Sequence, residues 1–298
     1  MKILDMKIVV GIPAYNEGKN IAEILVELKK LYQNIIVCDD GSKDLTAEIA
    51  EGLGAIVIKH DRNLGYGSAI KSIFLKAEEI KADVLITFDA DGQHRIKDIG
   101  NVLEPIKENI ADMVIGSRFL DNIQDIPKYR KVGIKAITGL TNISGGTKIT
   151  DSQSGFRAYN KKILENIKLT ESGMGISTEI LIKTQKAGFR ISEVPITVLY
   201  NGDTSTHNPV SHGISVIFST IKFTFIERPL TFYGIPGIIL FSIGLFFIVW
   251  TLQIFSETRQ ITTNIALIGI GSVMIGILFL MTSTILYTVV SVVREKRN

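Results

Sequence analysis

Two aspartates one residue apart, Asp89 and Asp91, close a short apolar run and are followed by Gly92 and Gln93. In an extended turn, carboxylates at i and i+2 face one hard cation, and Gln93 adds a neutral oxygen. Magnesium or manganese suits such ligands and fills the rest of its shell with waters and phosphate oxygens. A cation held there would neutralise a diphosphate leaving group. Taken alone, Asp-x-Asp is also an ordinary solvated turn, so its meaning depends on where the fold puts it. A second acidic pair, Asp39-Asp40, precedes Gly41-Ser42. Its carboxylates can accept from a base N–H or from ribose hydroxyls, and the same segment also reads as a helix start capped by Ser42 or Asp44. The run Asn63-Leu64-Gly65-Tyr66-Gly67 approaches a dinucleotide fingerprint. Ile70 stands where that fingerprint needs Gly or Ala, and the run follows the third apolar segment, not the first, which excludes a Rossmann dehydrogenase.

These residues need a scaffold, and the apolar runs supply one. Ile8–Ile12, Asn34–Cys38, Ala55–Lys59, Val84–Phe88 and Met113–Gly116 alternate with helical stretches, including Thr46–Gly52 and one ending near Ile80. That alternation predicts an α/β fold with a mostly parallel sheet and helices on both faces. Ligands of such sheets bind beyond the carboxyl ends of the strands. Asp39, Asp40, Asp89, Asp91, Ser117 and Arg118 all fall at those ends. Cys38, on an apolar run, reads as a small buried hydrophobe.

The 298 residues suggest about two domain-sized units. With 33 Lys+Arg against 30 Asp+Glu, the net charge of +3 gives no reason to expect a nucleic-acid partner. One cysteine makes no disulfide framework, and no Cys/His spacing suggests zinc. The mean hydropathy of +0.27 conceals a split. Residues 229–256 and 260–293 contain no Asp, Glu, Lys, Arg or His. Each exceeds the roughly 20 apolar residues of a membrane span, which predicts helices near 231–254 and 265–290. Lys222 and Arg228 before the first span, with Arg294, Lys296 and Arg297 after the second, predict that both flanks and the N-terminal domain face the cytoplasm. Residues 213–228 carry apolar side chains at helical spacing and read as an amphipathic helix in the membrane interface. Met1–Val10 does not read as a signal peptide, because Asp5 and Lys7 interrupt it. The expected domains are therefore residues 1–212, the interfacial helix 213–228, and a two-span anchor over 229–298.

Seven segments occur in one order: Pro13-Ala-Tyr-Asn-Glu17, Asp39-Asp-Gly-Ser42, Asn63-x-Gly-x-Gly67, Asp89-Ala-Asp-Gly-Gln-His94, Gly116-Ser-Arg118, Ser154-Gly-Phe-Arg157 and Glu193-Val-Pro-Ile196. As a set they resemble the inverting GT-A glycosyltransferases of family 2, in the dolichyl-phosphate hexose synthase branch, over about residues 6–215. The resemblance implies that Pro13, Ala14, Tyr15 and Glu17 line a nucleotide pocket, with Asp39 and Asp40 at base and ribose. Asp89, Asp91 and Gln93 would hold Mg2+ or Mn2+ against the diphosphate of a nucleotide sugar. Arg118, Ser154 and Arg157 fall where the family handles the acceptor phosphate and sugar, and Arg130 with Lys131 lies in the segment where similar proteins carry an acceptor-phosphate arginine. Asp91, Arg118 and Arg130 are thus the expected catalytic group. The implied reaction moves one hexose from a nucleotide sugar to dolichyl phosphate at the bilayer, for N-glycosylation or surface glycan synthesis. The acceptor phosphate is largely ionised at neutral pH and needs no strong base, so positioning and leaving-group stabilisation would carry the rate.

One segment departs from the pattern. Many relatives carry a cationic loop after Glu-Val-Pro-Ile, whereas here Asn201–His212 has His207 at about that place. Nearby phosphates would favour the protonated imidazole. The stretch His207-Asn-Pro-Val-Ser-His-Gly213 resembles archaeal members that use UDP-sugars, which favours UDP-GlcNAc or UDP-glucose over GDP-mannose. His60 and His94 read as structural, and Glu179 as a helix-start carboxylate. A processive polysaccharide synthase is disfavoured: Trp250, the only tryptophan, lies inside the first span, and no Gln-x-x-Arg-Trp follows the acidic motifs. The alternative of another class is a catalytically inactive membrane scaffold for a partner enzyme.

Overall fold

The computed structural model describes residues 6–121, 128–198, 225 and 229–295. The chain forms two compact units, Met1–Ile221 and Lys222–Asn298. In the first, a seven-stranded sheet has the order β3-β2-β1-β4-β6-β5-β7. The strands are β1 Ile8–Ala14, β2 Asn34–Asp39, β3 Ile56–Lys59, β4 Val84–Thr87, β5 Met113–Ser117, β6 Arg157–Asn160 and β7 Ile191–Pro195. β1 pairs in parallel with β2 and β4, β2 with β3, and β5 with β7. Only β6 runs antiparallel, inserted between β4 and β5. The expected mostly parallel α/β sheet is present.

Strand alternation divides the core between the two faces. Val10, Ile12, Ile86 and Val114 meet α1 (Ile21–Lys29), α2 (Thr46–Gly52) and α4 (Ile99–Lys107) on one side. Val9, Ile36, Leu85, Met113 and Ile115 meet α3 (Tyr66–Glu79), α6 (Lys161–Asn166) and α7 (Ile176–Lys186) on the other. With both faces covered, the strands read as continuous apolar runs and not as alternating ones. The same burial pushes the Cys38 thiol up to about 12, with Asp40 and Asp39 adding to the effect, so this cysteine is an inert core residue as expected. A longer helix, α5 (Lys128–Gly145), packs Ile134 and Ile137 inward.

The second unit holds two helices, α8 (Ile235–Thr258), preceded by a π turn over Leu230–Gly234, and α9 (Thr263–Glu295). Both are long and apolar enough to cross a membrane, at Leu230–Thr258 and Thr263–Val292. These spans run one to four residues beyond the expected 231–254 and 265–290 at each end, taking in apolar Leu230, Phe255 and Val292. The two helices meet through small residues seven apart. Gly237, Gly244 and Thr251 lie on α8, and Gly269, Gly276 and Ser283 on α9. A Cβ on Gly244 would sit 2.6 Å from the Val273 nitrogen and 2.8 Å from the Gly269 oxygen, so backbone lies directly on backbone. The Ser283 hydroxyl donates to the Pro229 carbonyl at 3.2 Å. Outward side chains such as Ile238, Phe246, Leu267 and Leu278 are exposed, as lipid-facing residues would be. The interfacial helix expected over 213–228 lies outside the described residues apart from Phe225, as does His207.

Candidate active site

The carboxyl ends of β1, β2, β4 and β5 open onto one rim of the sheet. β1 ends with buried Pro13 and Ala14 in register with Cys38 and Asp39 of β2. The two turns that follow are laced together. The Asn16 amide donates to Ser42 Oγ at 2.8 Å, the Lys43 amide to Asn16 Oδ1 at 2.8 Å, and the Glu17 amide to Thr46 Oγ1 at 2.9 Å. Asn16 takes a left-handed backbone, φ 56°, which an asparagine tolerates. This lacing presents Tyr15 and Glu17, both half-buried, to the rim. Asn16 lies inside the Pro13–Glu17 segment but is not among the residues expected to line the pocket.

Asp39 is buried and accepts from the amide and hydroxyl of Ser42. Asp40 departs from its expected contact with ribose. Both of its oxygens face the protein: Oδ1 accepts from His60 Nδ1 at 2.6 Å and the Leu64 amide at 3.0 Å, and Oδ2 from the Gly65 amide at 2.8 Å. The cause is the Gly-rich run 63–67, whose turn points successive N–H groups at the end of β2. His60 in turn reaches Ser72 Oγ on α3 at 2.9 Å. Asp40 therefore builds the rim from beneath. The helix start that also fits this segment is present, because Asp44 accepts from the Thr46 amide at 3.1 Å.

Beyond β4 lies the pair expected to hold the cation. Gly92, with φ 71°, makes the left-handed turn that lets Asp91 Oδ1 accept from the Gln93 amide at 3.0 Å. Asp89 is contacted on both oxygens, by Tyr66 OH at 3.3 Å and His94 Nε2 at 3.2 Å. Burial works against its charge, yet His94, Tyr66 and the nearby Arg118 guanidinium together hold the Asp89 carboxyl below its ordinary value. Glu17 feels the opposite: burial, reinforced by the charges of Asp91, Asp44 and Asp89, pushes its carboxyl up. The mutual influence of Glu17, Asp89 and Asp91 defines an acidic rim. His94, read as structural, instead touches Asp89 between the rings of Phe88 and Phe156, and its buried Nδ1 has no partner among the described residues.

Among the described residues no three His, Cys, Asp or Glu side chains converge as a metal set. That excludes a closed structural zinc site there. Two carboxylates and an amide oxygen fit a hard cation that completes its shell with water and diphosphate oxygens.

At the end of β5, Arg118 is gripped by a residue that sequence reading missed. Its Nε and Nη2 donate to the two oxygens of Asp151 at 2.6 and 2.7 Å, and its amide donates to the same carboxylate at 3.2 Å. Asp151 is fully buried; the Arg118 guanidinium more than offsets that burial and holds its carboxyl low. Arg157 differs from its expected contact with the acceptor. It is 1 % exposed, and its guanidinium donates to the carbonyls of Ser154, Ser177 and Ser152 at 2.7, 2.9 and 2.7 Å. Both faces of the sheet are covered at β6, with Ala158 in one core layer and Tyr159 in the other, so the Arg157 guanidinium is buried and needs internal acceptors. Ser154 is buried, with its hydroxyl unpartnered among the described residues. Glu179, also buried, holds the 170–171 backbone and pairs with Lys183. Arg130 lies in the first turn of α5, its side chain outside the described residues, and Lys131 beside it is exposed.

A sheet of this order with an acidic turn and a paired arginine on one rim defines a nucleotide-sugar transferase fold. The family model for glycosyl transferase family 2 matches residues 9–168, more than half of the chain, and the chain belongs to that family. It is a glycosyltransferase with the GT-A fold, in the dolichyl-phosphate hexose synthase branch. A UDP-N-acetylglucosamine–dolichyl-phosphate N-acetylglucosaminyltransferase of Methanococcus voltae is 38% identical over 66% of this chain and 87% of its own length. A dolichyl-phosphate hexose transferase of Haloferax volcanii is 30% identical over 75% of this chain and 96% of its own. Among solved structures, glucosyl-3-phosphoglycerate synthase from Mycobacterium tuberculosis, crystallised with Mn2+, UDP and glucosyl-3-phosphoglycerate, superposes with a TM-score of 0.56. At 17% identity, over 74% of this chain and 80% of that one, this likeness concerns the fold.

Proposed function

We propose that this protein transfers one hexose from a nucleoside-diphosphate sugar to the phosphate of dolichyl phosphate, with inversion, on the cytoplasmic face of a membrane. The observation that carries the reading is the facing pair on one rim, the Asp89/Asp91 turn and the Asp151-held Arg118, close enough for the arginine charge to act on Asp89. Donor and acceptor both bring phosphate: a cation held by the acidic turn would meet the donor diphosphate, and the arginine would meet the acceptor phosphate.

Asp89, Asp91 and Gln93 would hold Mg2+ or Mn2+, which when bound withdraws charge from the diphosphate as the sugar departs. The named activities of the relatives from Methanococcus voltae and Haloferax volcanii support the acceptor, and the first of these favours UDP-GlcNAc. Pro13, Ala14, Tyr15, Glu17 and Asp39 line the nucleotide side of the rim. Tyr66 and His94 fix the Asp89 carboxylate, while Asp40 supports the turn that brings Tyr66 to it. Arg118 orients the acceptor phosphate; the family resemblance gives Arg130 and Ser154 a share in that acceptor role and His207 a role toward the donor diphosphate. The attacking phosphate oxygen is already ionised, so none of these residues needs to remove a proton, and single displacement inverts the anomeric centre. The Lys/Arg bias around the two apolar helices supports a cytoplasmic catalytic domain.

The test is a donor screen with the full chain in detergent, dolichyl phosphate and Mn2+ or Mg2+, comparing UDP-GlcNAc, UDP-glucose, UDP-galactose and GDP-mannose. Metal-dependent, chloroform-extractable labelled sugar from one donor, lost in Asp91→Ala, is expected. Absence of a lipid product from every donor, together with stable capture of a partner transferase, would establish the scaffold instead. Protease digestion of sealed vesicles checks the orientation, since a domain cleaved from the outer side contradicts it.

A further inference from the structure

Glu193 sits in the middle of β7, opposite Ile115 of β5, and its half-buried carboxylate is engaged by the 150–151 segment. It accepts from the Thr150 amide at 2.8 and 2.9 Å, from the Thr150 hydroxyl at 3.1 Å and from the Asp151 amide at 3.0 Å. The Thr150 hydroxyl is also paired with Ser117 Oγ at 2.7 Å, and Ser117 is the residue before Arg118. Ser117 Oγ in turn accepts from the Phe119 amide at 3.2 Å, so the chain on both sides of Arg118 is tied down. Glu193 of β7 therefore grips the 150–151 backbone and Ser117 of β5 the Thr150 hydroxyl, and that segment carries the fully buried carboxylate that holds Arg118. Burial and the charge of Asp151 push the Glu193 carboxyl up. A like charge beside buried Asp151 is unfavourable alone, and the amide and hydroxyl donors of Thr150 and Asp151 work against it.

We propose that Glu193 is a positioning residue for the acceptor: it clamps the Thr150–Asp151 backbone so that Asp151 fixes the Arg118 guanidinium in the orientation that receives the acceptor phosphate. The inference rests on the reading of Arg118 as the acceptor-phosphate group. Orientation is what a guanidinium contributes beyond its charge, because its planar fork matches phosphate oxygens only at the right angle. Glu193 touches neither substrate, so it acts only through this chain of contacts.

The experiment measures dolichyl-phosphate KM, kcat and Mn2+·UDP affinity by calorimetry in full-length Glu193→Ala, Glu193→Gln, Arg118→Ala and the Glu193→Ala/Arg118→Ala pair. Glu193→Ala should raise the acceptor KM about tenfold, with kcat and Mn2+·UDP affinity near wild type. Glu193→Gln should restore it to within about threefold, since Oε1 alone already meets the Thr150 amide, the Thr150 hydroxyl and the Asp151 amide. In the pair, the Glu193 change should add nothing to Arg118→Ala. Multiplying effects in the pair, or a fall in UDP affinity parallel to the rise in KM, overturns the inference. Wild-type acceptor KM in Arg118→Ala overturns the underlying acceptor reading, an outcome visible without any Glu193 variant. Should Glu193→Ala fail to fold, Glu193→Asp keeps the charge and withdraws it by one methylene; a wild-type acceptor KM in that variant also overturns the inference.

Discussion

Replacing Gly155 by alanine places one methyl group against the carboxylate that the proposed cation needs. A Cβ at this position would lie 2.6 Å from Asp89 Oδ2, 2.8 Å from Oδ1 and 2.7 Å from Tyr66 OH. Ordinary contact begins near 3.4 Å, so Asp89 must retreat by about 0.8 Å or the backbone must yield. The backbone is pinned, because the Gly155 carbonyl accepts from Thr87 Oγ1 at 2.6 Å and the next residue's carbonyl from the Gly116 amide at 2.9 Å. Gly155 does not use a left-handed φ, so alanine brings no conformational penalty and the effect is purely steric. Metal–ligand distances tolerate only about 0.2 Å, and disturbing the groups that orient a ligand costs roughly 10–100-fold in affinity. Gly155→Ala should therefore weaken Mn2+ binding in the presence of UDP by about that factor, measured by calorimetry on the full chain, with about 1–3 kcal/mol of stability lost to the overpacking. Gly100→Ala, which adds a methyl into open space, is the control. A Gly155→Ala protein that binds Mn2+ and UDP like the wild type would refute the assignment of Asp89 as a ligand.

Three further outcomes follow from the packing. Arg157→Met leaves the carbonyls of Ser152, Ser154 and Ser177 without their donors; at about 1–3 kcal/mol for each buried unmet group, a loss of at least about 3 kcal/mol is expected in denaturant unfolding, and an unchanged midpoint refutes it. The hydrogen bond from Arg190 holds the Asp112 carboxyl below its usual 3.8, so the folded state binds the proton less readily than the unfolded chain. That stabilisation is complete above the ordinary value and is lost as pH falls through the folded one. Asp112→Asn should therefore lower stability near neutrality and converge on wild type in acid, flattening the limb below about pH 4; an unaltered limb contradicts the pairing. Gly244→Val drives a branched side chain into the Val273 and Gly269 backbone, so disulfide cross-linking between cysteines placed on facing turns of α8 and α9 should disappear in bilayers. Gly271→Val, on an open face, should leave it intact.

The layers of this fold were legible because each strand is an uninterrupted apolar run and each run ends in residues that chemistry can use. Asp89, Asp91 and Arg118 stand at such ends, and their types alone suggest phosphate and metal. Asp151 and Glu193 were not legible as partners of Arg118, because the pairing crosses 33 residues in one step and 42 in the next and depends on the order of β5, β6 and β7. Nor does sequence reveal which way a strand residue points. Arg157 belongs to a recognisable motif, and only the covering of both sheet faces at β6 shows that it is buried. Asp40 fails for a different reason: an acidic side chain beside a pocket looks the same whether it faces a ligand or the amides of the next turn.

The seven-residue spacing of small side chains on α8 and α9 carries a consequence for register. Helices whose glycines recur every second turn can slide past each other by one repeat and still find a glycine opposite a glycine, so the pattern specifies a set of alignments and not a single one. Slippage by fewer residues drives Val273 or Ile248 into backbone, which leaves the repeat itself as the smallest tolerated step. Two local features remove that freedom. The link between the helices is only residues 259–262, with Arg259 in the left-handed conformation that ends α8, and Ser283 reaches the Pro229 carbonyl only in the observed alignment. The glycines thus act as a vernier scale, and a short connector and a single hydroxyl choose the mark at which it is read.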